Sequence, residues 1–171
     1  MKIRKGAMSS VVTAAIYLFI GRMSLRADQT APVNGETLKG IKVSLAAGIM
    51  AAENKGKPIS AKFEVEDGKT QLSVYAAKDG KLSEIVVDHG TGKISKIEAI
   101  TTGEDLTDAK AQNEAMDKAK LSLRAAVRKA VQANKGFKAI RAMPTVKEGH
   151  PVAEISIGKG KEVKTVSEKL D

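Results

Sequence analysis

The sequence predicts an α+β protein of two tandem units, each one helix packed on a small antiparallel meander sheet, behind an N-terminal signal peptide. Three observations carry this expectation. Apolar residues recur at helical spacing in two separate stretches, each stretch is followed by strands of period two broken by tight-turn residues, and the pattern repeats at an offset of 80 or 81 residues.

The chain opens with Lys2, Arg4 and Lys5 ahead of an apolar or small run, residues 7–21 (AMSSVVTAAIYLFIG), which is short for a bilayer span. Leu25-Arg26-Ala27 then offers small or apolar −3 and −1 positions, so cleavage is expected after Ala27; an uncleaved leader would act as the only membrane anchor. Residues 28–36 are polar and contain Pro and Gly, and read as a linker. The first unit is expected over 37–103 and the second, shortened one over 104–171.

In the first unit Leu38, Ile41, Leu45, Ile49 and Ala52 follow one another in steps of three and four, predicting one amphipathic helix ended by Lys55-Gly56 and blocked by Pro58. Phe63 and Val65 then alternate with Lys62, Glu64 and Glu66; Leu72, Val74 and Ala76 alternate with Gln71, Ser73 and Tyr75. Asp67-Gly68 and Asp79-Gly80 are hairpin turns, Ile85 to Val87 is a third strand, and Ile94 to Ile97 is a fourth. A second helix is expected from about Thr107 to Asn134, with Met116, Ala119, Leu123, Val127 and Ala130 on its apolar face. The second sheet stops at Asp171 without a fourth strand, which leaves an edge to cover.

Composition narrows function. The chain has no Cys and only two His, so thiolate chemistry is excluded and a zinc site would have few nitrogen ligands; no His-Glu-x-x-His and no Gly-x-Ser-x-Gly is present. No catalytic residues and no cofactor are expected. The net charge of +9 owes five cations to residues 1–27, which hold no acid, so the remainder carries +4 in mixed-sign runs. With aromatics at 3%, stacking platforms for nucleic acid are lacking, and no nucleic-acid partner is expected.

The segment Val87-Asp88-His89-Gly90-Thr91-Gly92-Lys93-Ile94, preceded by a strand centred on Tyr75, resembles the PepSY domain family, whose pattern is a helix, strands with a Tyr-containing segment, and V-D-x-x-T-G-K before an aliphatic. Residues 38–98 carry the resemblance well and 107–171 less well, because the second copy lacks the Asp-x-x-Thr-Gly-Lys turn. The resemblance implies Val87, Asp88, Thr91, Gly92 and Lys93 as the family-motif turn, and a non-catalytic module acting on an exported or membrane-associated protein, a peptidase being the class proposed for relatives. The missing strand points to a partner-binding edge, with Glu154, Ile155, Ser156, Ile157, Val163 and Val166 as candidates. The alternative reading is weak cation binding by Glu64, Glu66, Glu84 and Asp88 on the polar face of the first sheet, carboxylate oxygens being suited to hard cations.

Overall fold

The computed structural model describes residues 33–66 and 68–171, so the leader, its cleavage after Ala27 and the first part of the linker lie outside the described residues. The architecture is α+β. One antiparallel sheet of seven strands runs in the order β4-β3-β2-β1-β5-β6-β7, built from β1 (Lys57–Glu66), β2 (Lys69–Lys78), β3 (Lys81–Val87), β4 (Ile94–Ala99), β5 (Lys138–Lys147), β6 (His150–Lys159) and β7 (Glu162–Lys169). The hairpins form where the turn residues stand: Gly68 has φ +74, Asp79 and Gly80 both have positive φ, and so do Glu148 and Gly149.

The two halves share one sheet and one core. In strand numbering they are offset by 81: Lys57–Glu66 matches Lys138–Lys147, and Lys69–Lys78 matches His150–Lys159. The bulge between Pro58 and Ser60 in β1 recurs between Ala139 and Arg141 in β5. β1 and β5 join the halves through Ala61↔Ala142 and Lys62↔Arg141, and Ala61 and Ala142 are themselves counterparts at the offset of 81. Antiparallel pairing of like strands through like residues is the arrangement a two-fold axis produces.

The predicted helices are interrupted. Leu38 lies in a 3-10 turn (Thr37–Gly40), the chain then extends, and α1 (Leu45–Ala52) begins after Ser44, whose side chain accepts from the Ala47 amide at 3.2 Å. The expected second helix is two: α2 (Gly103–Lys118) and α3 (Leu123–Ala133), the latter capped by Ser122 on the Ala125 amide at 3.2 Å. The cause of both breaks is the same. Lys42 and Val43 donate their amides to the His89 carbonyl, and Lys120 and Leu121 donate theirs to the Leu170 carbonyl, so these residues serve tertiary bonds instead of a helical turn. Lys42-Val43-Ser44-Leu45 and Lys120-Leu121-Ser122-Leu123 are the same device at an offset of 78.

Leu72, Val74, Ile85, Ala153, Ile155 and Ile157, all fully buried, face α1 and α3. α2 lies on the opposite face, where the hydroxyl of fully buried Ser60 donates to Gln112 Oε1 at 2.5 Å. Each half also reaches into the other: Lys57 donates to the Met116 carbonyl (2.7 Å), and its counterpart Lys138 to the Leu38 carbonyl (3.3 Å). Of the segment read as a linker, Val33 packs against the core and Glu36 donates its amide to the Gly160 carbonyl.

Candidate functional site

The motif turn between β3 and β4 is held from within. Asp88 Oδ1 accepts from the Gly90 amide (3.1 Å), the Thr91 amide (2.7 Å) and the Thr91 hydroxyl (2.7 Å), and these bonds, the Thr91 hydroxyl first, hold its carboxyl below the ordinary range. Val87 is buried, and Gly92 takes φ +77, the left-handed region that favours glycine. The turn presents the His89 carbonyl to Lys42 and Val43, so Asp88, Thr91, Gly92 and Lys93 act as the buttress of the segment that leads into α1. In the second half Leu170, at the offset of 81 from His89, supplies the same carbonyl without the turn.

Among the described residues the four carboxylates proposed for a cation do not gather into a metal-holding group, although Glu64 and Glu84 both reach the Ser73 hydroxyl. Glu64 is bonded to Lys62 (2.7 Å) and accepts from the Ser73 hydroxyl (2.7 Å), while Asp88 is spent in its own turn. Glu66 and Asp88 border a shallow depression that neither Glu64 nor Glu84 lines, and among the described residues no three His, Asp or Glu side chains are grouped to hold a metal. The polar face is instead an ion-paired network partly roofed by α2. Burial is the largest single influence on Lys62 and opposes its charge, but the hydrogen bond to Glu64, joined by the further pull of Tyr75 and of the Glu64 charge, outweighs it and leaves the ammonium above the usual lysine range, 5.5 Å from the centre of the Tyr75 ring. Burial pushes the Tyr75 phenol up to about 12, against the nearby Lys62 charge.

Glu84 is also raised, first by burial and then by the neighbouring Glu64, with the Ser73 hydroxyl opposing. A carboxyl raised on folding holds its proton more tightly in the folded state, so its contribution is complete below the ordinary carboxylate pKa and falls as pH rises through the folded value. Glu84→Gln is therefore expected to stabilise the protein at pH 7 by no more than about 1 kcal/mol, the group being half exposed, and to leave stability at pH 4 nearly unchanged. Urea denaturation at both pH values measures the difference; a loss at pH 7 would mean that the Gln71 and Ser73 contacts dominate.

The candidate edge divides in two. Glu154, Ile155, Ser156 and Ile157 lie on β6, between β5 and β7, so they offer no free backbone; this corrects their placement at an edge, and its cause is that β6 is the middle strand of the second half's meander, paired with β5 on one side and β7 on the other. Val163 and Val166 are on β7, an edge of the sheet among the described residues, and Val163 is 47% exposed. The other edge is β4, where Ile97 is 49% exposed.

A cavity that sequence spacing does not reveal lies between α1 and α3. Its volume is about 370 Å³, with Leu38, Val43, Leu45, Phe63, Val127 and Phe137 among its walls. The buttressed segment, residues 41–44, forms one side. No family model matches this sequence, and no curated protein or solved structure matches it either. Among the described residues no helix is long and apolar enough to cross a membrane.

Proposed function

We propose that the chain is an exported, non-catalytic binding module of two tandem PepSY-like units that takes up an extended segment of another exported or membrane-associated protein, an exported peptidase being the first class to test. One observation carries the reading: β3 has β4 alongside it, whereas among the described residues its counterpart β7 has no strand on its outer side. A segment from a partner adding to β7 would complete the second half as β4 completes the first, through backbone bonds that need no particular sequence. The tandem reading is supported by the strand offset of 81, the paired bulges and the matching serine caps. Export is supported by the cationic and apolar leader pattern. Exposed charges at Glu162, Lys164 and Lys169 guard β7 against indiscriminate pairing, which leaves room for a partner with complementary charges.

The test is affinity capture from periplasmic extract with the wild-type protein and a Val163→Asp, Thr165→Asp variant, both side chains being exposed. A single exported partner held by the wild type and lost by the variant is the expected result. A partner held equally by both places the binding surface elsewhere and removes the edge mechanism.

A further inference from the structure

The cavity between α1 and α3 has a counterpart. At the offsets of 78 and 81 its residues Lys42, Ser44, Leu45, Val127 and Lys138 become Lys120, Ser122, Leu123, Ile49 and Lys57, and the last set lines a second cavity of about 240 Å³ at the other end of the same helix pair. The two are not chemically alike. In the smaller one Arg124 and Glu53 form an ion pair at 2.9 Å. In the larger one Ala46 stands at the Arg124 position and Val131 at the Glu53 position, so the space is open and its wall apolar. Phe137 takes the place of Gly56 and adds a ring to the wall, while Arg128 replaces Met50.

The charges of the larger cavity have one sign. Lys42, Arg128 and Lys138 line it and no acidic residue does. Lys138 is engaged with the Leu38 carbonyl, whereas Lys42 and Arg128 have no carboxylate partner among the described residues. Lys164 adds a further cation, 4.4 Å from the centre of the Phe137 ring. Apolar walls with a cationic border suit a ligand that is apolar along its length and anionic at one end. The volume falls at the small end of the range of about 300–1,000 Å³ usual for small-molecule sites.

We infer that this cavity binds an alkyl carboxylate, a single-chain anionic amphiphile, with the chain against Phe63, Val127 and Phe137 and the carboxylate at Lys42 and Arg128. The inference is independent of the strand edge. The open cavity is a difference between two otherwise corresponding places in one fold, and the difference consists of losing a closing ion pair and gaining an aromatic wall and a cation.

Titration calorimetry of the full chain with hexanoate, octanoate and decanoate, below their aggregation concentrations, tests it, with 1-octanol as the uncharged control. Each added methylene is expected to tighten binding about fourfold until the cavity is filled. Octanol is expected to bind about tenfold more weakly than octanoate, and Lys42→Ala with Arg128→Ala to bring octanoate down to the octanol level while leaving octanol unchanged. Ala46→Arg with Val131→Glu transfers the closing ion pair and is expected to abolish binding of the whole series; Ala46→Leu provides a smaller block should the double variant not fold. Absence of binding at every chain length overturns the inference. So does a series insensitive to both blocking changes, which would place the ligand elsewhere, or octanol equal to octanoate, which would remove the carboxylate site.

Discussion

Leu72→Ala is expected to lower the stability of the protein by about 3 kcal/mol, and Gly48→Ala to lower it in the wild type yet raise it in the Leu72→Ala background. Leu72 is fully buried and one of its methyls, Cδ2, occupies the space where a Cβ on Gly48 would stand. Truncation leaves a void under the α1 backbone, which cannot close because α1 is pinned at its start by Ser44 and by the His89 carbonyl. A methyl on Gly48 collides with Leu72 when Leu72 is present. When Leu72 is gone the same methyl enters the void and removes the helix-interior glycine, a gain of about 1 kcal/mol before any packing is counted. The second half already displays this outcome: the counterparts of Gly48 and Leu72 are Ala126 and Ala153, both fully buried. One core spans both halves, so the loss is expected as a shift of a single thermal transition by roughly 10 °C, with no separate melting of the second half. Additive effects in the double variant, or two transitions, would contradict this packing.

Much of the strand pattern was legible because its causes are local. Val74 and Ala76 alternate with polar neighbours, Asp79-Gly80 tolerates the positive φ values of a tight turn, and both features act without reference to the rest of the chain. The helices misled for the opposite reason. Leu38 and Leu45 are both buried, and so are Met116 and Leu123, but each pair belongs to two separate segments. The break between them is imposed by a distant carbonyl, His89 or Leu170, and periodicity has no access to that. A signal was nevertheless present: Lys42-Val43-Ser44-Leu45 recurs as Lys120-Leu121-Ser122-Leu123, and a serine ahead of a leucine run is a capping pattern. The placement of Glu154–Ile157 at an edge failed on topology. β6 is the middle strand of a three-strand meander and is paired on both sides, so only β5 or β7 could have been an edge, and that β5 is the one that meets the first half is a tertiary fact. The cavity was beyond sequence reasoning for a related reason, since its emptiness lies in Ala46 and Val131, two unremarkable apolar residues that gain meaning only beside Arg124 and Glu53.

Gly158→Val is expected to cost about 2–3 kcal/mol and to release the segment that carries the chain into the first half. A Cβ on Gly158 would lie 2.8 Å from the Gly35 amide nitrogen and 2.8 Å from Ile140 Cδ1. Backbone crosses backbone here, because a Cβ on Gly35 would in turn meet the Gly160 nitrogen at 2.6 Å and the Lys159 nitrogen at 2.7 Å. Ile140 is the bulge residue of β5 and is itself buried, so the freer of the two neighbours is the Val33–Glu36 segment. Its release breaks the bond from the Glu36 amide to the Gly160 carbonyl and loosens Leu38, which is buried and whose carbonyl receives Lys138. Gly158→Ala is expected to show a smaller cost of the same kind. Thermal denaturation gives the energy, and hydrogen exchange at the amides of Lys39 and Ile41 locates it: their protection should fall in Gly158→Val, while that of β2 and β3 is retained. Leu38 is also a wall of the open cavity, so the same variant is expected to weaken octanoate binding although residue 158 does not line that space. Unchanged stability and unchanged exchange would mean that the segment does not cross at Gly158. Loss of protection with octanoate affinity intact would mean that Leu38 is not needed to hold the alkyl chain.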